Sequence, residues 1–244
     1  MNAPELSIVI PFYKEEGTAG PLIDEVVGRL LPLGRPFEMV LVDDGSTDGT
    51  FEVLRAAQRR WPMCRVLRHT RNAGQAAALM TAFAAARGAI VITLDGDGQN
   101  DPADISGMLA HLDRADLVVG VRAQRRDSTL RRTMSRVANW VRRRWLNDGV
   151  SDTGCALKVF RREVVGSFLP IRTLYSFIPA FAVAGGFRVI EYPVNHRRRA
   201  TGVSKYGLWT MLWRPFIDML ALGWFLKRRI PHVAVEEHVS DSLM

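Results

Sequence analysis

Apolar residues in the N-terminal half of the chain form short continuous runs, and helix-length amphipathic segments separate these runs. This alternation is typical of a parallel β-sheet with crossover helices. The predicted strands are Leu6–Phe12, Phe37–Val42, Arg65–Leu67, Ile90–Leu94 and Leu117–Val121. The predicted helices are Ala19–Leu31, Thr50–Arg60, Gly74–Arg87 and Pro102–Arg114. We therefore expect an α/β fold, with a mostly parallel sheet flanked by helices.

The regular alternation stops near Arg122, where an arginine-rich segment begins. Two further strands are predicted at Ala156–Phe160 and Phe187–Val194. Beyond Lys205, apolar residues recur every three or four positions, which predicts an amphipathic C-terminal helix. These residues are Trp209, Leu212, Trp213, Phe216, Ile217, Leu220 and Trp224. We expect a main domain over residues 1–206, this helix over 207–230 and a disordered tail over 231–244.

Polar side chains follow three of the predicted strands directly. In sheets of this kind, ligands bind beyond the carboxyl ends of the strands. The three polar segments are Tyr13–Glu16, Asp43–Thr50 and Asp95–Gln99. Asp48 or Thr50 is expected to cap the next helix. Two carboxylates directly after a buried strand exceed what capping requires, so we expect Asp43 to bind a ligand.

Asp95, Asp97 and Gln99 are spaced by two, so their side chains share one side if the preceding strand continues through them. Carboxylate and amide oxygens suit Mg²⁺ or Mn²⁺, and such an ion would bridge the phosphates of a nucleotide. The alternative is an exposed acidic turn. The position at a strand end favours the metal site.

Four segments together resemble glycosyltransferase family 2. They are Pro11-x-Tyr13-x-Glu15, Val42-Asp43-Asp44-Gly45-Ser46-x-Asp48-x-Thr50, Leu94-Asp95-x-Asp97-x-Gln99 and Gly202-x-Ser204-Lys205. Within the family they are most similar to polyprenyl-phosphate glycosyltransferases, of the dolichol-phosphate mannose synthase and undecaprenyl-phosphate formamido-arabinose transferase types. The resemblance runs from about Leu6 to Tyr206.

The resemblance implies a Rossmann-like GT-A fold and a divided site. Pro11, Tyr13, Glu15 and Asp43 would hold the nucleotide base and ribose, and Asp95, Asp97 and Gln99 would hold the metal and the diphosphate. The chain departs from the family where Ala and Leu are usual, because Gly96 and Gly98 stand there. We expect these glycines to loosen the loop.

The net charge is +8, and nine arginines but only one acidic residue, Asp127, occur from Arg122 to Arg144. Such a block favours nucleic acid, acidic lipid or a phosphorylated substrate. The resemblance assigns Arg122, Arg131, Ser135, Arg199 and Lys205 to an acceptor phosphate. Arg142, Arg143 and Arg144 are expected to contact lipid or solvent. Asp152 falls in the segment that lies near the donor sugar in the family, with a turn cap as the alternative.

The implied activity is inverting transfer of a sugar from a UDP- or GDP-sugar to undecaprenyl or dolichyl phosphate. A protein, small-molecule or polysaccharide acceptor remains an alternative, although the Gln-x-x-Arg-Trp motif of processive synthases is absent. A nucleic-acid-binding protein would leave Asp43, Asp95 and Asp97 unexplained, so we expect no nucleic acid. Cys155 is expected to pack in the core, and His69, His111 and His196 are expected to be structural or exposed.

The chain starts without the features of a signal peptide, and it has two cysteines, too few for a disulfide scaffold. The apolar stretch between Arg214 and Lys227 is shorter than the roughly 20 residues that cross a bilayer. We expect a cytoplasmic protein at the inner face of the cell membrane. Tryptophans with Arg214, Lys227, Arg228 and Arg229 suit the head-group boundary. Packing on the core, a homo-oligomer contact or an integral-membrane partner is the alternative for the apolar face.

Overall fold

The computed structural model describes residues 3–122, 142, 144–146, 148–197 and 208–228. In the last helix, the side chains are described at 217–226 and 228. Four of the residues assigned to the acceptor phosphate, Arg131, Ser135, Arg199 and Lys205, lie outside the described residues, and so does the tail over 231–244.

One seven-stranded sheet forms the centre of the molecule, in the order β3-β2-β1-β4-β6-β5-β7. All neighbouring strands pair in parallel except at β6, which is antiparallel to β4 and β5. The strands are β1 Leu6–Phe12, β2 Phe37–Asp43, β3 Cys64–Arg68, β4 Ile90–Thr93, β5 Leu117–Arg122, β6 Lys158–Arg161 and β7 Val189–Val194. The predicted α/β class is confirmed.

Six α-helices are described, with short 3₁₀ helices at Leu31–Leu33 and Arg162–Ser167. They are α1 Glu16–Leu30, α2 Thr50–Arg60, α3 Gln75–Ala85, α4 Asp104–Leu109, α5 Leu174–Ala184 and α6 Leu208–Arg228. Sequence analysis missed α5, which is apolar on nearly every side and buries seven of its eleven residues. A helix buried all round lacks the one-sided periodicity that identifies an amphipathic helix.

The strand order reverses between β1 and β4. From β1 the chain continues to β2 and β3 on one side, and then returns to place β4 on the other side. Such a reversal leaves a crevice outside the carboxyl ends of the two central strands, where open α/β sheets bind ligands. The carboxyl ends of β1 and β2 are level, since Phe12 pairs with Asp43, whereas β4 ends opposite Val9. The chain that leaves β4 therefore crosses beside the end of β1.

Strand β6 brings a distant part of the sequence to the same edge. Its first residue, Lys158, pairs with Thr93 near the end of β4 and with Val119 of β5. Because β6 runs antiparallel to both neighbours, the segment that precedes it lies beyond their carboxyl ends. Asp152 belongs to that segment, and it therefore lies at the ligand-binding edge.

Two apolar cores cover the faces of the sheet, and α6 contributes to one of them. Met219 and Leu222 of α6 are buried in the core that also holds Phe160, Phe177 and Phe181. Among the described residues, no helix is both long and apolar enough to cross a membrane. The C-terminal helix predicted from the sequence thus exists and packs partly on the main body.

Gly96 lies against the end of β1. A Cβ atom at Gly96 would lie 2.5 Å from Cδ1 of Phe12 and 2.9 Å from the carbonyl oxygen of Pro11. The Gly96 carbonyl also accepts a 3.0 Å hydrogen bond from the Thr18 hydroxyl. Our expectation of a loose loop is thus wrong at this residue. The glycine allows the buried Phe12 ring to pack directly under the loop.

We predict that Gly96→Ala lowers the free energy of unfolding by about 1–3 kcal/mol, because the added methyl group overpacks a buried contact. Phe12→Val removes the ring that the methyl group would meet. The free energy of unfolding of the double variant, measured in urea, should therefore fall by less than the sum of the two single decreases. We expect the difference, which is the interaction energy of the two residues, to be about 0.5–3 kcal/mol. Strictly additive losses would show that Gly96 and Phe12 do not constrain each other.

Candidate active site

The loop after β1 carries Tyr13 and Glu15 beyond the buried Pro11. Its backbone is held by the loop after β2, since Lys14 N–H donates to Ser46 Oγ and Glu15 N–H donates to Thr50 Oγ1, at 3.0 and 2.9 Å. Lys14 has a positive φ of 55°, which is uncommon for a residue other than glycine. The two hydrogen bonds hold this unusual conformation and fix where the side chains of the loop begin.

Asp43 is fully buried at the end of β2. Its Oδ1 accepts a 3.1 Å hydrogen bond from the backbone of Ser46, and Nε of Arg68 lies 3.1 Å from its Oδ2. The Arg68 guanidinium also covers the Phe51 ring, 4.1 Å from the ring centroid. The carboxylate therefore has a fixed orientation at the predicted nucleotide side of the crevice.

Asp44, the next residue, is also buried, and its carboxylate receives four hydrogen bonds. His69 Nδ1 lies 2.7 Å from Oδ1, and the backbone of Ala73 donates to the same oxygen at 2.9 Å. The Asn72 amide and the backbone of Gly74 donate to Oδ2 at 2.9 and 2.8 Å. Sequence analysis assigned this residue no role, and its contacts tie the loop before α3 to the end of β2.

Asp95, Asp97 and Gln99 lie on a turn beyond β4, not on an extension of the strand, because β4 ends at Thr93. Strand alternation therefore does not orient their side chains. The Asp95 Oδ1 accepts a 2.6 Å hydrogen bond from Nε2 of Gln75, and the Asp97 Oδ1 accepts a 3.1 Å bond from the backbone of Gln99. The described residues hold no group of three or more carboxylate, imidazole or thiol side chains placed to bind a metal.

His196 lies beside Gln99. From the sequence, His196 was expected to be structural or exposed, without a functional role. It forms an isolated β-bridge with Asn100, and its Nε2 is 3.4 Å from Nε2 of Gln99. Arg197 N–H donates to the Gln99 carbonyl at 2.9 Å, and its guanidinium pairs with Glu25 and Asp101. The rule that ligands lie beyond strand ends, applied to β7, would have identified His196.

Arg122 at the end of β5 pairs with Asp152. Its Nε lies 2.7 Å from Oδ2, and its Nη2 lies 2.9 Å from Oδ1, a bidentate arrangement that fixes the guanidinium plane. Asp152 Oδ1 also accepts a hydrogen bond from the backbone of Gly154 at 3.2 Å. The turn-cap interpretation of Asp152 is thus observed, and its contact with Arg122 was not predicted.

Lys158 is a buried cation beneath this edge of the sheet. Its ammonium group donates to the Cys155 carbonyl. Burial lowers the pKa of Lys158, while the carboxylates of Asp95 and Asp152 oppose that shift. Lys158 thus connects the electrostatics of the turn after β4 with those of the Arg122–Asp152 pair.

Three other sequence predictions can be compared with the structure. Arg142 does not face lipid or solvent, because it is buried with its Nη1 3.1 Å from Oδ2 of Asp148. Cys155 is buried, and burial raises the pKa of its thiol, which agrees with a packing role. The N-cap of α2 is Gly49, without a side-chain cap hydrogen bond, so the expectation that Asp48 or Thr50 caps the helix is wrong. Asp48 lies one residue earlier, and its carboxylate accepts hydrogen bonds from the backbone and hydroxyl of Thr50, the first helical residue, at 3.2 and 2.6 Å.

The structure thus brings those predicted residues that it describes to one edge of the sheet, in two groups. The first group surrounds the carboxyl ends of β1, β2 and β4 and comprises Pro11, Tyr13, Glu15, Asp43, Asp95, Asp97 and Gln99. The second group, at the end of β5, comprises Arg122 and Asp152. Lys158 lies in the strand between β4 and β5.

The same fold occurs in solved structures of sugar-transferring enzymes. Glucosyl-3-phosphoglycerate synthase from Mycobacterium tuberculosis, in complex with Mn²⁺, UDP and phosphoglyceric acid, superposes with a TM-score of 0.70 at 21% identity, over 91% of this chain and 78% of the other. A mannosyltransferase from Pyrobaculum calidifontis, in complex with GDP-Man and Mn²⁺, gives a TM-score of 0.61 at 23% identity, over 92% of this chain and 65% of the other. The expected GT-A type of fold is confirmed.

Proteins found by sequence comparison have a higher sequence identity to this chain than these solved structures have. The chain is 37% identical to a dodecaprenyl-phosphate galacturonate synthase of Rhizobium johnstonii, over 91% of this chain and 68% of the relative. It is 39% identical to an undecaprenyl-phosphate 4-deoxy-4-formamido-L-arabinose transferase of Edwardsiella ictaluri, over 85% of this chain and 64% of the relative. The aligned region thus spans about two thirds of the length of these relatives. The model of the family described as "Glycosyl transferase family 2" matches residues 7–168, and together with these relatives it shows that the chain belongs to that family.

Proposed function

We propose that this protein transfers a sugar from a UDP- or GDP-sugar to a polyprenyl phosphate, with inversion at the anomeric carbon. The observation that carries the proposal is that groups of opposite charge lie at one edge of the sheet. A carboxylate-bearing turn follows β4, and a fixed arginine ends β5. Both sequence relatives are named for a polyprenyl phosphate, which supports such an acceptor here.

The donor nucleotide would occupy the crevice between β1 and β4. In this proposal Pro11, Tyr13, Glu15 and Asp43 contact the base and the ribose. Asp43 suits that role because Ser46 and Arg68 orient its carboxylate at the strand end. The packing of Gly96 on Phe12 brings the turn that would hold the diphosphate close to the end of β1.

Asp95, Asp97 and Gln99 would hold Mg²⁺ or Mn²⁺ together with the diphosphate. Their oxygen atoms are the hard ligands that these ions prefer. A bound ion would stabilise the charge that develops on the departing nucleoside diphosphate. Without any ligand, the turn is held by Gln75 and by its own backbone.

The acceptor phosphate needs no general base. Its second pKa is about 6, so near neutral pH the attacking oxygen is mostly ionised. The protein must instead hold a dianion close to a negatively charged donor, which charge-assisted hydrogen bonds from arginine and lysine can do. We assign this task to Arg122, Arg131, Ser135, Arg199 and Lys205, while Asp152 positions the guanidinium of Arg122.

The position of Arg197 supports the assignment of Arg199 and Lys205. Arg197 is attached to the backbone of Gln99, and Asp101 and Glu25 hold its guanidinium. Arg197, two residues before Arg199, therefore lies at the side of the proposed diphosphate site. Attack by the acceptor oxygen from the face opposite the leaving diphosphate is a single displacement, and a single displacement inverts the configuration of the sugar.

Helix α6 is proposed to lie on the cytoplasmic surface of the membrane, where the lipid acceptor is found. Its Met219 and Leu222 are buried in the core, yet Ile217, Leu220 and Trp224 on other sides are 45%, 40% and 61% exposed. The Arg228 guanidinium covers the Trp224 ring, 5.3 Å from its centroid. A helix with an apolar outer face, an interfacial tryptophan and a basic end suits the head-group boundary of anionic lipid.

The function is tested by incubating the protein with UDP- and GDP-sugars, Mg²⁺ or Mn²⁺, and undecaprenyl or dolichyl phosphate. We expect a glycosylated lipid phosphate with inverted configuration. Parallel reactions contain a peptide, a free sugar or a polysaccharide as the acceptor. Transfer to one of these acceptors and not to the lipid phosphate would refute the proposed acceptor.

Asp97→Ala should lower the kcat/KM of that reaction by about 100-fold or more, because a metal ion contributes several kcal/mol to catalysis. The variant should remain folded, because it loses the hydrogen bond from the backbone of Gln99 but also relieves repulsion from Asp95. Asp113→Ala, at an exposed carboxylate, is the matched control. Full activity of Asp97→Ala, or activity that persists in EDTA, would contradict the metal assignment.

Arg131→Ala and Arg199→Ala should raise the KM for polyprenyl phosphate or lower kcat by about 10-fold to 100-fold, the effect of losing one hydrogen bond to a charged group. Nucleotide affinity, measured by calorimetry, should stay unchanged. Arg59→Ala on the exposed face of α2 serves as the control. A collapse of nucleotide affinity in either variant would move that arginine to the donor side.

Trp224→Ser should weaken binding to anionic liposomes by about 10-fold to 100-fold, because it removes an apolar side chain worth roughly 1.5–3 kcal/mol when buried in the interface. Leu31→Ser, at an apolar residue that is 52% exposed outside α6, should have no effect. Flotation at low and high salt measures both. A Trp224→Ser variant that floats normally, but elutes as a smaller species in gel filtration, would identify the surface as a contact between copies.

A further inference from the structure

Asp95 is oriented by a residue from a different part of the chain, Gln75 at the start of α3. The 2.6 Å bond from Nε2 of Gln75 to Oδ1 of Asp95 joins two side chains that are twenty positions apart. A hydrogen bond of this length to one carboxylate oxygen restricts rotation of the whole group. It therefore determines the direction of the other oxygen.

Gln75 is itself held in place by the end of β2. The loop that leads into α3 donates two backbone hydrogen bonds to the Asp44 carboxylate, from Ala73 and Gly74, at 2.9 and 2.8 Å. The Asn72 side chain adds a third donor at 2.9 Å. Gln75 follows these anchored residues immediately, so Asp44 fixes the start of α3.

Gly45 allows the loop to come close enough for these bonds. Its φ is 68°, and a Cβ atom there would lie 2.4 Å from the carbonyl carbon of Arg71 and 2.6 Å from the amide nitrogen of Asn72. No side chain fits between the two backbones. Asp44 and Gly45 therefore act together, since the carboxylate attracts the loop and the glycine removes the obstacle.

We propose that Gln75 is a positioning residue for Asp95, and that Asp44 and Gly45 set its position through the loop 71–74. The chain of contacts transmits the geometry of the β2 end, at the nucleotide side, to the carboxylate at the diphosphate side. This assignment rests on the proposed metal and nucleotide site. In this proposal Asp44 and Gly45 set the position of Gln75, whereas the neighbouring Asp43 contacts the nucleotide.

The test compares the unmodified chain with Gln75→Met, which keeps the length of the side chain and removes its hydrogen-bond donor. Calorimetry measures the affinity for Mn²⁺ in the presence of UDP or GDP. We expect a 10-fold to 100-fold loss, the usual effect of removing a group that orients a metal ligand. Gln58→Met, at a glutamine on α2, is the matched control and should bind as the unmodified chain does.

Two further variants separate positioning from a general loss of structure. Asn72→Ala removes one donor to Asp44 and leaves Gln75 intact, so it should weaken Mn²⁺ binding by a smaller factor. In an Asp95→Ala background, Gln75→Met should have little further effect, because the group that Gln75 orients is absent. Equal losses in both backgrounds, or unchanged Mn²⁺ affinity of Gln75→Met, would overturn the proposal.

The unfolding temperature in EDTA gives a readout that is independent of metal. The unfolding temperature of the Gln75→Met, Asp95→Ala double variant should fall by less than the sum of the two single decreases. Strictly additive decreases would again overturn the contact. Failure of the proposed function is distinguishable, since the unmodified chain would then bind no Mn²⁺ with either nucleotide.

Discussion

Negative charge at one edge of a single sheet is the constraint on which the rest of this structure depends. Asp43, Asp44 and Asp152 are buried there, and Asp95 lies close by. Burying a carboxylate is costly unless hydrogen bonds or an opposite charge compensate it. Each carboxylate is compensated by a different contact. Arg68 pairs with Asp43, and four hydrogen bonds reach Asp44. Gln75 donates to Asp95, and Arg122 pairs with Asp152.

The contacts that compensate these carboxylates also orient the site for its ligands. The carboxylates are held by groups from other strands and loops, so their directions are set before any substrate arrives. Preorganised polar groups do not have to reorganise during a reaction, which is a main source of catalytic stabilisation in enzymes. The contacts that make burial tolerable are thus the same contacts that give the site its geometry.

Which polar segments share one edge of the sheet was predictable from the sequence, because their placement follows local rules. The β1 strand was predicted at its observed limits, and the polar segments after β1, β2 and β4 lie at one edge because parallel strands share a direction. Sequence reasoning could not identify the Arg122–Asp152 pair, because an apolar run such as Ala156–Phe160 does not reveal whether its strand runs parallel or antiparallel. It also missed the contact between Gln75 and Asp95, since helical periodicity places Gln75 in α3 but says nothing of what its amide reaches.

The antiparallel insertion of β6 has a consequence for how the molecule assembles. Residues 6–93 contribute four strands that are neighbours in the finished sheet, β3, β2, β1 and β4. Strand β6 pairs with β4 although more than sixty residues separate the two strands in the sequence. Strands β5 and β7 follow β6 in the order of the sheet. Pairings between distant segments form late because closing a long loop costs entropy before the contacts form. Since synthesis proceeds from the N-terminus, a growing chain can complete the strands of the proposed nucleotide side while the residues that would hold the acceptor are still being translated.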